Sequence, residues 1–148
     1  MKIKISSDST CDLGSELTAG HDIGIIPLSV ILGENVYSDG IDITPQQIFD
    51  YVAATKTLPK TAACTEEAYA EQFEKFLEGH DALIHFNISS KASVTNRNAS
   101  EAAKRFGGRV KVIDSLALST GQGLLVLKAC DFAKEGLDPD EIVRRVEA

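Results

Sequence analysis

The sequence predicts an α/β domain with three layers, in which a mostly parallel sheet lies between helices. Short apolar runs alternate with segments whose apolar residues follow helical spacing, and this alternation is typical of a sheet with crossover helices. Polar residues follow directly after three of the apolar runs, at residues 7–12, 89–95 and 114–115. Ligands of open parallel sheets bind beyond the carboxyl ends of the strands. The sequence therefore predicts a ligand site at that edge of the sheet.

Five apolar or alternating runs are predicted strands. The second run contains Pro27, which cannot donate a ladder hydrogen bond and so indicates an edge position, a bulge or a bend. A turn at residues 33–35 separates the second run from the third, so these two predict a hairpin. In chain order the predicted strands are residues 2–6, 23–32, 36–38, 84–88 and 109–113.

Six segments are predicted helices. Thr44 and Thr65 are predicted N-caps, and Pro45 occupies the first helical position, where its missing N–H costs nothing. The fifth segment is apolar nearly all round, which predicts a helix covered on both sides. Between the second and third predicted helices, residues 58–64 are expected to form an irregular connection. In chain order the helices are expected at about residues 16–19, 45–53, 66–77, 93–106, 116–133 and 139–148.

Composition argues against several classes of function. The 148 residues suit one domain, and a formal charge of −7 without clustered Lys and Arg argues against a nucleic-acid or anionic-membrane surface. The three cysteines have no CxxC spacing and predict neither a disulfide framework nor a zinc site. Because no apolar stretch is long enough for a signal peptide or a membrane span, the expected protein is soluble and cytoplasmic.

The acidic residues at the strand ends predict a structural network rather than a metal site. Asp8 and Asp114 end strands that we expect to be neighbours, and short acidic turns more often hydrogen-bond to the backbone than bind a metal. We therefore expect these carboxylates to support the ligand site from behind. The hydroxyl residues assigned to the same supporting network are Ser9, Ser89, Ser115 and Ser119.

Cys11 and His85 are the other candidates for chemistry. Cys11 lies in a polar turn, as the nucleophile of a phosphatase does, but neither a basic residue nor a Gly-rich cradle accompanies it, which favours a packing role. His85 lies within an apolar run, which predicts a hydrogen-bonded core residue rather than a catalytic base. The hydroxyls and backbone N–H groups at the predicted site suit an anion of low charge density.

Seven short segments stand out by their order along the chain. They are DSTCDL at 8–13, IPLSV at 26–30, YSDGIDI at 37–43, PKT at 59–61, ISSKASVT at 88–95, VIDS at 112–115 and STGQG at 119–123. Together they resemble the DegV family of bacterial fatty-acid-binding proteins over nearly the whole chain. The resemblance implies that residues 1–148 form a lipid-binding amino-terminal domain, normally followed by a second domain that this chain lacks.

The resemblance also implies a ligand and a site. DegV proteins bind a long-chain fatty acid, and some present it as an acyl carrier to a separate fatty-acid kinase, with peripheral membrane contact expected during lipid exchange. Thr61 and Ser93 match the hydroxyls that hold the carboxylate, and Val94 is assigned to the same site. The family has Gly where Val94 stands and Ser where Ala62 stands. Since Val avoids positive φ, we expect this turn to differ from the family's or to be strained if the family's turn needs a positive φ.

The acyl tail is expected to supply most of the affinity, at about 0.8 kcal/mol per buried methylene. The apolar helix at 116–133 is a candidate lining for the tail, with a plain core role as the alternative. No metal or cofactor besides the fatty acid is implied. The alternative function is a phosphoryl-transfer or hydrolytic enzyme that uses the strand-end turns, suggested by Ser9 and Cys11.

Overall fold

The computed structural model describes residues 1–148 and contains two sheets. The seven strands are β1 (Ile3–Asp8), β2 (Gly24–Ile26), β3 (Ser29–Leu32), β4 (Asn35–Ser38), β5 (Lys60–Ala62), β6 (Ala82–Asn87) and β7 (Val110–Asp114). The six α-helices are α1 (Ser15–Gly20), α2 (Pro45–Thr55), α3 (Glu66–Leu77), α4 (Thr95–Ala103), α5 (Thr120–Lys134) and α6 (Pro139–Val146), with single 3-10 turns at Ser9–Cys11 and Lys104–Phe106.

The main sheet is parallel and has the strand order β2-β1-β6-β7. Ile5 pairs with Ile84, which in turn pairs with Lys111, so the carboxyl ends of all three strands reach the same edge. The second sheet is antiparallel, with the order β4-β3-β5. The main sheet confirms the predicted fold class.

Helices cover both faces of the main sheet. Residues of α5 and α6 pack on one face in a core of 12 buried residues, and residues of α3 and α4 pack on the other in a core of 8. Every residue of β6 is buried, because a central parallel strand is covered on both sides. These three layers confirm the predicted α/β/α architecture.

The strand predicted at 23–32 is wrong as a single element. It divides at Pro27 into β2, which joins the parallel sheet, and β3, which joins the antiparallel sheet. The N–H of Leu28 donates to Ser9 Oγ (3.1 Å) and makes no ladder bond. The predicted hairpin of β3 and β4 is confirmed, with Gly33 at φ 64° in its turn.

Two further predictions need correction. The connection at 58–64 contains β5, whose Thr61 pairs with Val30. The helix expected from residue 116 begins at Thr120, and it is not covered all round, because Leu124 is 67% exposed.

The N-caps predicted at Thr44 and Thr65 are confirmed. Thr44 Oγ1 accepts from the N–H of Gln47, whose Oε1 accepts in return from the N–H of Thr44 (2.8 Å), which makes a capping box. Thr65 Oγ1 accepts from the N–H of Ala68 (3.2 Å). None of the helices combines the length and the apolar character that crossing a membrane requires.

Candidate functional site

Asp8 anchors a buried network at the end of β1. Its Oδ1 accepts from Gln122 Nε2 (2.8 Å) and from the hydroxyl and N–H of Thr10, and its Oδ2 accepts from Asn87 Nδ2 (3.1 Å) and from the N–H of Ile88 (2.8 Å). A carboxylate with no exposed surface needs this many donors to offset its lost hydration. Asp8 thereby fixes the start of the connection between β6 and α4.

A second group of buried polar side chains lies beside Asp8. His85 Nδ1 is 2.8 Å from Ser6 Oγ, and Asn87 Nδ2 is 3.0 Å from Tyr69 Oη and 3.1 Å from His85 Nε2. Burial lowers the pKa of His85 to about 4, although Asp8 opposes the shift, and burial raises the pKa of Tyr69 well above its usual value. His85 is therefore a neutral, hydrogen-bonded core residue, as predicted.

Asp114 ends β7, as expected, but β7 is not a neighbour of β1. The prediction that Asp8 and Asp114 end neighbouring strands is wrong, because β6 lies between β1 and β7. Asp114 Oδ1 accepts from the N–H groups of Ser90 (3.0 Å) and Leu116 (3.1 Å). Partial burial raises the pKa of Asp114, but hydrogen bonds from Ser90 and Leu116 outweigh it, so the pKa lies below its usual value. The two carboxylates thus hold opposite ends of the Ile88–Ser90 segment.

Ser89 and Ser115 shape the connections after β6 and β7. Ser89 Oγ accepts from the N–H of Lys91 (3.3 Å), and its own N–H donates to the Ala117 carbonyl (2.9 Å). Ser115 Oγ donates to the Ala117 carbonyl (3.1 Å) and accepts from the Ala117 N–H (3.2 Å). These bonds join the two connections to each other.

Ser9 and Ser119 shape the connections on either side of the Asp8 network. Ser9 Oγ accepts from the Leu28 N–H, where the chain passes between the two sheets. Ser119 donates its N–H to the Thr10 carbonyl (2.9 Å) and has φ 54°, a left-handed conformation that favours glycine. The side chains of the four serines assigned to the supporting network bond to backbone groups or make no bond within the chain, and none bonds to Asp8 or Asp114.

Ser93 lies just before α4 and is half-buried. Its Oγ accepts from the Thr95 N–H (3.2 Å) and is 2.5 Å from the hydroxyl of Thr95, which is fully buried. Val94 has φ −79° and ψ 0°, in the right-handed helical region, and its side chain is 60% exposed. The turn therefore uses no positive φ, and valine fits it without backbone strain.

Thr61 lies on β5 with an exposed side chain, and its hydroxyl makes no hydrogen bond within the chain. Asn98 Nδ2, in α4, donates to the Cys64 carbonyl (2.9 Å) just after β5. This bond ties the segment that carries Thr61 to the helix that Ser93 precedes. The role of Thr61, Ser93 and Val94 toward a ligand stays a prediction.

Cys11 is buried and poorly suited to nucleophilic attack. Burial raises the pKa of its thiol, whereas a reactive cysteine needs a lowered one. A cavity of about 450 Å³ lies between the turn after β1 and the segment around Asp39. Its lining includes Cys11 and Ser9 but neither Thr61 nor Ser93.

The family model described as "Uncharacterised protein, DegV family" matches residues 2–148. The chain belongs to the DegV family. A DegV domain-containing protein of Deinococcus radiodurans is 34% identical over 147 residues, which are 99% of this chain and 52% of that relative. This DegV-family chain spans about half the length of the curated relatives that it matches.

Solved structures of DegV proteins share the fold. A structure from Thermus thermophilus, described as showing fatty-acid binding of a DegV family protein, is 35% identical with a TM-score of 0.92. A stearic-acid-binding protein from Eubacterium ventriosum is 32% identical, with a TM-score of 0.88. DegV of Bacillus subtilis, described as a fatty-acid-binding protein, is 28% identical, with a TM-score of 0.91. All three superpose on 99% of this chain, which covers 52–53% of theirs.

Sequence reasoning missed three residues that organise this site. Tyr69, Asn87 and Gln122 complete the network around Asp8. The one signal in the sequence is a polar residue at the end of an apolar run, as at Asn87, since a buried polar group needs partners. Those partners cannot be read from the sequence, because Gln122 and Asp8 are 114 positions apart.

Proposed function

We propose that this DegV-family chain binds a long-chain fatty acid and that Thr61 and Ser93 hold its carboxylate. The observation that carries the proposal is that the Thr61 hydroxyl is exposed and makes no bond within the chain. Ser93, half-buried before α4, supplies the second hydroxyl, and the Asn98–Cys64 bond ties the two segments together. The similar structures described as fatty-acid-binding proteins support this choice of ligand.

The acyl tail supplies most of the binding energy in this proposal. Hydrogen bonds to a carboxylate contribute about 1.5–3 kcal/mol each, whereas a dozen buried methylenes contribute about 10 kcal/mol before ordering costs. Exposed apolar side chains lie beside the polar turns and offer surface to the tail. They are Val94, Leu116, Leu118 and Leu124.

We further propose an acyl-carrier role, in which the bound carboxylate is presented to a separate fatty-acid kinase. Thr61 is exposed and Ser93 half-buried, so a carboxylate between them lies near the surface. The buried His85 and the protonated Cys11 thiol are poorly suited to activating that carboxylate. In a full-length protein, the half found in the relatives but not in this chain would complete the site, and membrane contact would serve lipid exchange.

The phosphoryl-transfer alternative has less support. Ser9 Oγ already accepts a hydrogen bond from the Leu28 N–H, and burial raises the pKa of Cys11. Neither residue has a base positioned to activate it. These were the two residues that suggested an enzyme.

Removing both hydroxyls tests the proposal. Delipidated protein is reloaded with a long-chain fatty acid, and retained lipid is measured by mass spectrometry together with a titration for Kd. The double variant Thr61→Val, Ser93→Ala should bind at least tenfold more weakly, because it loses two bonds to the carboxylate. The matched control is Thr57→Val, Ser100→Ala, which should bind like wild type. Failure of wild type to retain lipid, or equal binding by the double variant, contradicts the proposal.

A further inference from the structure

We propose that Thr95 is a positioning residue that makes Ser93 a hydrogen-bond donor toward the ligand, so that the site prefers a carboxylate to a neutral head group. The inference rests on the fatty-acid-binding function proposed above. It concerns a residue that does not contact the ligand itself and acts only through Ser93.

Two groups of Thr95 approach the same oxygen. The Thr95 N–H lies 3.2 Å from Ser93 Oγ and donates to it, and the Thr95 hydroxyl lies 2.5 Å from the same atom. Thr95 is fully buried, and Ser93 is the only hydrogen-bond partner of its hydroxyl. Because an unpaired buried hydroxyl is costly, Thr95 keeps this bond in every state of the site.

The proton count then leaves two directions for the bond, which differ in what Ser93 offers the ligand. A serine hydroxyl has one proton and two lone pairs, and the Thr95 N–H already occupies one lone pair of Ser93. If Ser93 gave its proton to Thr95, it would offer the ligand only a lone pair. If Thr95 gives its proton instead, both lone pairs of Ser93 are filled and the serine proton points to the ligand.

A carboxylate selects the second arrangement, because it accepts hydrogen bonds and donates none. Donation by Thr95 also polarises the Ser93 hydroxyl and strengthens the bond to the anion. An ester carbonyl is a weaker acceptor and gains less from this polarisation. Thr95 therefore contributes to selectivity between head groups and not to contact with the tail.

The test compares palmitic acid with methyl palmitate as probes on the full-length protein. Thr95→Val keeps the shape of the side chain and removes its hydroxyl, so it should weaken palmitic acid binding about 3- to 10-fold and change the binding of the ester less than twofold. Thr95→Ser should restore the wild-type ratio of the two Kd values. Thr95→Ala gives a second truncation that can be measured if the valine variant does not fold.

A double-mutant cycle separates positioning from general packing. In a Ser93→Ala background, Thr95→Val should have no further effect on the acid-to-ester ratio. Equal weakening of both probes by Thr95→Val and Thr95→Ala, or an unchanged ratio, overturns the role of Thr95 while leaving the proposed function intact. If wild type binds neither probe, the proposed function fails and this inference fails with it.

Discussion

Asn87 joins more polar groups than any other side chain at the carboxyl end of β6. Its Nδ2 lies within 3.1 Å of Asp8, Tyr69 and His85, although an amide has only two protons to donate. Its Oδ1 is buried without a partner. An unpaired buried acceptor costs about 1–3 kcal/mol. The unpaired Asn87 Oδ1 therefore destabilises the fold directly behind the Ile88–Ser90 segment, beside the candidate site.

His85 predicts a pH dependence of stability. Its pKa falls from 6.5 to about 4 on folding, chiefly because burial disfavours the charged imidazolium. The unfolded chain then binds a proton between pH 6.5 and 4 that the folded chain does not, so the free energy of unfolding rises with pH in this window. This stability is fully present above pH 6.5, and about 3 kcal/mol is lost as the pH falls to 4.

Urea unfolding of wild type and His85→Gln from pH 4 to 7.5 measures this contribution. The variant should be less stable at pH 7 but should lose less stability on acidification, because glutamine takes up no proton. An NMR titration of wild type gives a direct reading, and the imidazole resonances assigned to His85 should not titrate between pH 5 and 7. Parallel stability curves for the two proteins, or a midpoint near 6.5, would refute this assignment.

The backbone conformation of Val94 could not be predicted from its residue type alone. A valine in place of the family's glycine led us to expect a turn that differs or is strained if the family's turn needs a positive φ. With φ −79°, Val94 is unstrained, because hydrogen bonds between Thr95 and the Ser93 side chain shape the turn. The residue type alone gives no information about such a side-chain bond.

At the scale of elements, local signals were enough for the helix starts that Thr44 and Thr65 cap. The Thr44 capping box needs only residues within three positions of one another, so the sequence contains all of its parts. β5 was missed because it has three residues, two of them exposed, and it exists through pairing with the distant β3. Pro27 predicted an edge position, a bulge or a bend, but a change of sheet depends on partners elsewhere in the chain.

Gly123 sets how closely α5 approaches the turn after β1. A Cβ at this position would lie 2.8 Å from the Cys11 carbonyl oxygen and 3.0 Å from Leu13 Cδ2. Gly123→Ala should therefore destabilise the protein by about 1–3 kcal/mol despite the better helix propensity of alanine, because the helix must move away from backbone. Chemical denaturation gives the free energy of unfolding.

Gly20→Ala in α1 is the matched control for this substitution. No atom lies within 4 Å of its added Cβ, so we expect a neutral or slightly stabilising change. If both variants changed stability alike, the close approach at Gly123 would not be what limits the packing of α5.

At the scale of the whole molecule, strand order was the property that the sequence could not supply. Apolar periodicity predicted the parallel sheet and its layers, but it contains no information on which strand lies between which. The prediction that Asp8 and Asp114 end neighbouring strands failed for this reason, since β6 separates their strands. The site depends on that order, because both carboxylates bond to the segment that follows the central strand.

The two sheets differ in the amount of core that supports them. The antiparallel sheet packs around only three buried residues, Val30, Leu32 and Ile43, whereas the parallel sheet has cores of 12 and 8. A unit with so few buried apolar contacts opens locally at a lower free energy than the main core. Since Thr61 lies on β5, half of the proposed carboxylate site belongs to this less stable unit.

Amide hydrogen exchange, followed by mass spectrometry, should show both this difference and its coupling to the ligand. Without ligand, peptides from β3, β4 and β5 should exchange faster than those from β1 and β6. Saturating fatty acid at about 100 times Kd stabilises the bound state by about 2.7 kcal/mol and should slow exchange most strongly in β5. In the Thr61→Val, Ser93→Ala variant the same fatty acid concentration should give little slowing. Equal exchange of the two sheets without ligand would contradict the lower stability of the antiparallel sheet. Slowing by fatty acid in the parallel sheet alone would show that Thr61 and its strand do not hold the ligand.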